Sequence, residues 1–163
     1  MRHRLFPLTP PLTLCLLLGL CLPAARAEVV ATSHYHSLLA FYDAAVAVPL
    51  RPDGGTELVV DTPDGGLHVL GFSAGCSAAG RDLLDLGGVQ LDLYVNGQLV
   101  PSTAGSLDTF CTINTLGAFR PGMASLLAPV RLAPGKNTLR IKARLHHEAL
   151  GGQLNAPTVI VWR

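Results

Sequence analysis

The chain has 163 residues, 49% hydrophobic and 14% charged, which is too apolar for a disordered protein and long enough for one domain. A formal charge of +1 excludes bulk electrostatic attraction to nucleic acid as a main activity. Residues 1–27 read as a secretory signal. Arg2, His3 and Arg4 form a basic start, residues 12–22 are almost wholly apolar, and Ala25-Arg26-Ala27 fits a small-x-small cleavage site. The apolar run of about eleven residues is well short of the roughly 20 that a membrane-spanning helix needs. Cys21 invites comparison with a lipoprotein signal, but Leu20 stands before it where that signal wants a small residue.

Cleavage after Ala27 would leave residues 28–163 as one exported domain. Three of the 12 basic residues go with the leader and all 11 acidic ones stay, so the remainder carries −2. Of the 4 cysteines, only Cys76 and Cys111 remain. An even pair in an oxidising compartment reads as one disulfide. Closing a loop of about 36 residues, it contributes about 3–4 kcal/mol by the chain-entropy model.

The remaining elements follow in chain order. Leu38, Leu39, Phe41, Tyr42, Ala45 and Val46 could share a helix face behind Ser37, but the run is short, and strand or irregular structure is expected there. Pro52-Asp53-Gly54-Gly55 and Pro63-Asp64-Gly65-Gly66 are two turn signals eleven residues apart. The β-rich runs at 57–62 and 67–72 flank the second turn and suggest a hairpin through it. Val89, Leu91, Leu93 and Val95 alternate with Gln90, Asp92, Tyr94 and Asn96, ending in the turn dipeptide Asn96-Gly97. Residues 101–122 read as a long loop with room for one short strand, pinned by Cys111. Leu139, Ile141, Ala143 and Leu145 alternate with Arg140, Lys142, Arg144 and His146, and Val159 and Val161 alternate with Ile160 and Trp162. Period-two alternation puts one set inward and the other toward solvent. Short strands between Gly, Pro and Asn turns predict an all-β fold, an antiparallel two-sheet β-sandwich or jelly roll.

Several side-chain groups could carry chemistry. His34 and His36 would share a strand face, and His146-His147-Glu148 adds further donors, yet neither matches an established metal-ligand spacing; surface histidines are the simpler reading. Asp61, Asp64, Asp82 and Asp85 could serve a calcium ion, but no loop has the alternating acidic pattern such a site uses. Gly71-Phe72-Ser73-Ala74-Gly75 has the letters of a nucleophile elbow, which requires a strand-to-helix turn. No helix is legible after it. Arg140, Lys142 and Arg144, continued by His146, would form a cationic row on one strand face. That row could bind an anionic glycan, a lipid headgroup or an acidic partner. Equally, it could be a solvated face paired across strands, for example with Asp92.

Two segments together resemble a known family. Val89-Gln90-Leu91-Asp92-Leu93-Tyr94-Val95-Asn96-Gly97 is a strand ending in Val-Asn-Gly, and Leu132-Ala133-Pro134-Gly135-Lys136-Asn137-Thr138-Leu139-Arg140-Ile141 is a turn leading into a strand. Over residues 89–145 this is similar to the galactose-binding-like jelly-roll modules that accompany glycoside hydrolases. The resemblance implies a β-sandwich and carbohydrate binding, although Trp162 is the only Trp available to stack on a sugar. It transfers no binding residue.

The expected function is therefore an exported non-catalytic module that recognises a glycan, an envelope polymer or a protein partner. No cofactor, metal or nucleic acid is expected. A structural subunit of a pilus-like or surface structure is the main alternative, with residues 158–162 able to pair with a neighbour. A hydrolase or metalloenzyme is the third.

Overall fold

The computed structural model describes residues 27–42, 45–81, 87–101, 110–116, 122–147 and 149–163. Every element among them is a strand: β1 (Val29–His34), β2 (Leu38–Phe41), β3 (Val46–Ala47), β4 (Leu58–Thr62), β5 (Gly66–Gly80), β6 (Gly87–Val95), β7 (Gln98–Leu99), β8 (Cys111–Leu116), β9 (Gly122–Leu132), β10 (Gly135–His147) and β11 (Gly151–Trp162). They form a sandwich of two antiparallel sheets, as the alternation predicts. In the first sheet β11 and β5 are central, with β1 and β2 on the outer side of β11 and β9 on the outer side of β5. In the second, β10 and β6 are central, flanked by β3 and β4 on one side and β7 on the other. Strand β8 joins the sheets. It runs parallel to the end of β5 and antiparallel to the start of β6.

The core is the apolar layer between the sheets. Leu70, Phe72, Ala74, Val159 and Val161 of the first sheet meet Val89, Leu93, Leu139, Ile141 and Ala143 of the second, all buried. The register predicted for β10 holds: Leu139 and Ile141 point inward while Arg140, Lys142 and Arg144 are exposed. A slip by one residue would bury three cations, each costing several kcal/mol unless paired. Cys76 and Cys111 form the expected disulfide, Cα–Cα 6.1 Å, tying central strand β5 to the linking strand β8.

Two expectations are corrected. The turn at Pro63-Asp64-Gly65 does not close a hairpin. β4 pairs with β10 in one sheet, and β5 pairs with β9 and β11 in the other. The reason lies in a second corner alongside. Thr62 pairs with Gly135 and Gly66 with Leu132, so the β4–β5 and β9–β10 connections cross between the sheets together. Gly65 (φ +62°) and Gly66 (φ +104°) redirect the chain, and a Cβ on Gly65 would lie 2.7 Å from the Pro134 nitrogen. The second correction concerns residues 158–162. Both edges of this stretch are taken, by β1 and by β5, so it is not open to a neighbour.

Two strands had no clear sequence signal. β5 runs on through Gly75-Cys76-Ser77-Ala78-Ala79-Gly80, residues of low strand propensity that hold because strands flank both sides. In β9, inward Ala124, Leu126, Ala128 and Val130 alternate with outward Met123, Ser125, Leu127 and Pro129. Apolar residues occupy both sets, so the period of two is hidden.

Candidate functional site

The Val-Asn-Gly and Gly-Lys-Asn segments meet in one hydrogen-bonded corner. Asn137 has no exposed surface. Its amide nitrogen shares two N–H donors among Thr62 Oγ1 (3.0 Å), the Ala133 carbonyl (2.8 Å) and the Gly135 carbonyl (3.0 Å). Its Oδ1 accepts from the Ala133 N–H (3.0 Å) and from Asn96 Nδ2 (2.9 Å). Asn96 Oδ1 in turn accepts the Thr138 N–H at 2.8 Å. This network fixes the 96–97 turn against the 133–135 turn, and both turns line a groove.

That groove, about 730 Å³, runs between residues 95–101 and residues 129–134, with Gly66 also in its lining. Leu99 (55% exposed), Val100, Pro101, Pro129 and Pro134 give it apolar walls, and Asn96, Gln98 and Arg131 add polar groups. Arg131 is exposed and has no ion pair among the described residues. Hydroxyl-rich rings with apolar faces suit such a mixture, since C–H surfaces can lie on the walls while hydroxyls meet the polar groups. Sequence reading did not find this site. Its residues come from strand ends distant in sequence, which the sheet pairing and the corner network bring together.

The cationic row is where the sequence put it, but each member has a local counter-group. Arg140 pairs with Glu57, Arg144 Nε lies 3.4 Å from Asp92, and the Lys142 ammonium sits 5.1 Å from the centre of the Tyr94 ring. His146 is half-buried at the end of the row, its ring 3.8 Å from that of His147. The pairing of Arg144 with Asp92 is the cross-strand neutralisation foreseen for a solvated face.

The other groups are dispersed. His34 and His36 do lie together, ring centres 4.3 Å apart, with His34 Nδ1 2.6 Å from Thr158 Oγ1. Asp61 lies in β4 opposite Lys136, and Asp64 lies 3.5 Å from Arg163. Asp82, Asp85 and Glu148 are outside the described residues. Among the described residues, no three His, Cys, Asp or Glu side chains converge to hold a metal ion. Ser73 sits mid-strand in β5, opposite Thr158 and Ser125, so the Gly-x-Ser-x-Gly letters form no nucleophile elbow. Among the described residues no helix is long and apolar enough to cross a membrane. At the 52–55 turn, Asp53 accepts the Gly55 N–H (2.9 Å) and pairs with Arg51, which holds its carboxyl below the usual carboxylate range.

No protein-family model matches the chain, and no curated protein does. Solved structures do align with it. A family 35 carbohydrate-binding module from Clostridium thermocellum matches at 16% identity over 79% of this chain and 97% of its own, TM-score 0.36. A carbohydrate-binding module of Cellvibrio mixtus lichenase 5A, in complex with cellotriose, matches at 17% identity over 81% and 97%, TM-score 0.35. The Eiger TNF of S. frugiperda matches at 11% identity over 82% and 92%, TM-score 0.42. Carbohydrate-binding modules of the kind the sequence resembles are thus among its structural neighbours. TM-scores below 0.5 leave the functional reading to this chain's own surface.

Proposed function

We propose that residues 28–163 form one exported, non-catalytic domain that binds a glycan in the groove between residues 95–101 and 129–134. The observation that carries this reading is the groove itself: apolar walls and three polar side chains, one of them Arg131 with no ion pair among the described residues, beside the buried Asn137 network. The Cys76–Cys111 disulfide and the signal-like leader support export. The test is a glycan array probed with the full gene product, expressed with its leader and recovered from the exported fraction. Retention of a glycan that Arg131→Ala and Leu99→Ala each weaken about tenfold or more, with melting unchanged, supports the proposal. Binding that ignores both substitutions, or no retained glycan, refutes it.

A second reading places an acidic partner on Arg140, Lys142, Arg144 and His146. What favours it is that three cations share one exposed strand face. The salt dependence of binding separates it from the first.

A further inference from the structure

β9 pairs with β5 without a register shift from Gly122 to Leu132, and among the described residues no strand pairs with its other edge. The other outer strands are short or irregular: β2 has 4 residues, β3 has 2, β4 has 5 and β7 has 2, and β1 shifts register between Val29 and Ala31. Exposed edges are usually blunted by charge, bulges or short length, because their free N–H and C=O groups template another strand. β9 has 11 residues, and residues 122–128 carry no charge. Met123 is 82% and Leu127 62% exposed on its outer face.

We infer that this edge pairs antiparallel with the same edge of a second copy, about a two-fold axis at Ser125. Pro129 supplies the direction. It sits opposite Val69 in an unbroken ladder, and proline, having no N–H, fits an edge strand where the missing donor faces away from the partner. By the period of two, the N–H and C=O groups of Met123, Ser125 and Leu127 face the same open side. Pairing centred on Ser125 sets Met123 of each copy opposite Leu127 of the other, so the two exposed apolar side chains cover one another on one face. On the other face Ala124 meets Leu126. Pro129 stands four residues from Ser125, at the end of the uncharged run. By the two-fold, Pro129 of one copy or the other closes each end of the pairing without a donor, so the pairing has a defined length rather than propagating. A symmetric closed pair is the usual form of a self-complementary patch. This inference stands independently of the glycan reading.

The test is sedimentation velocity on the full gene product, recovered from the exported fraction with its disulfide intact, over a concentration series. A mass rising to twice the monomer is expected. Ser125→Pro removes only an outward-facing donor, and Leu127→Lys places a charge at the pairing; each should leave a monomer at the highest concentration. Leu127→Lys keeps the test valid should Ser125→Pro fail to fold. Ser125→Cys should crosslink into a covalent dimer on mild oxidation, because side chains opposite each other lie about 5 Å apart, whereas Thr32→Cys on β1 should not. A wild-type protein that stays monomeric overturns the inference, as does a dimer that persists in both edge variants. So does a monomer that instead captures an unrelated extended peptide.

Discussion

Asn137 and Asn96 are 41 residues apart in sequence, yet Asn96 Nδ2 donates to Asn137 Oδ1 at 2.9 Å, behind a surface that excludes water from Asn137 entirely. A buried polar group left without partners costs about 1–3 kcal/mol, and Asn137 serves five contacts at once. Asn137→Ala should therefore lower stability by about 3 kcal/mol, read from urea unfolding. Asn137→Asp should be at least as damaging, because a carboxylate cannot donate to the carbonyls of Ala133 and Gly135. A variant within about 0.5 kcal/mol of wild type would show that the corner is held by other means.

The disulfide gives a separate prediction. Titration of the denatured, unreduced protein should find no free thiol from Cys76 or Cys111. Replacing both with Ala should cost about 3–4 kcal/mol of stability. Two reactive thiols in the exported protein would refute the bridge.

The cationic row should matter little to stability. The Arg140–Glu57 pair is solvent-exposed and Arg144 keeps its exposed side chain against a half-buried Asp92, and pairs near the surface contribute about 0–1 kcal/mol each. The triple variant Arg140→Gln, Lys142→Gln, Arg144→Gln should melt within a few degrees of wild type. If an acidic partner binds there, affinity should fall and lose its salt dependence. Ile141→Asp, one residue along the same strand but facing the core, should unfold the domain or abolish its expression.

Trp162 offers an optical test of the first sheet. A Cβ on Gly71 would stand 2.8 Å from two carbons of the Trp162 ring, so the indole lies against the bare backbone of β5. Gly71→Val should displace the ring, shift the fluorescence of this single Trp to the red, and cost about 1–3 kcal/mol. Unchanged emission would mean that the indole is not seated on Gly71.

How much of this was legible depended on which residues carried a clean period. β6 and β10 were readable because the inward positions 89–95 and 139–145 are all apolar and most outward ones are polar or charged. β9 was not, because Met123 and Leu127 face outward beside inward Leu126 and Val130. The 63–66 turn was recognised as a turn, but its partner was misjudged. Local turn chemistry cannot reveal that a second corner, 70 residues later, packs against Gly65 and carries both strands across the sandwich. The groove stayed hidden for a related reason. Asn96 and Asn137 are parts of a turn pattern in sequence, but their contact, and the cleft beside it, is a tertiary fact.

β1 pairs with β11 in a ladder that sets Val29 against Trp162, and Glu28 and Arg163 exchange backbone hydrogen bonds at 3.1 and 3.0 Å. β1 must therefore wait for β11, more than 110 residues later, before its edge is satisfied. Contacts this distant in sequence close slowly, so β1 should stay unpaired until β11 is available to it. The outermost strand of the first sheet is therefore the one whose place is filled last, and it depends on every step before it.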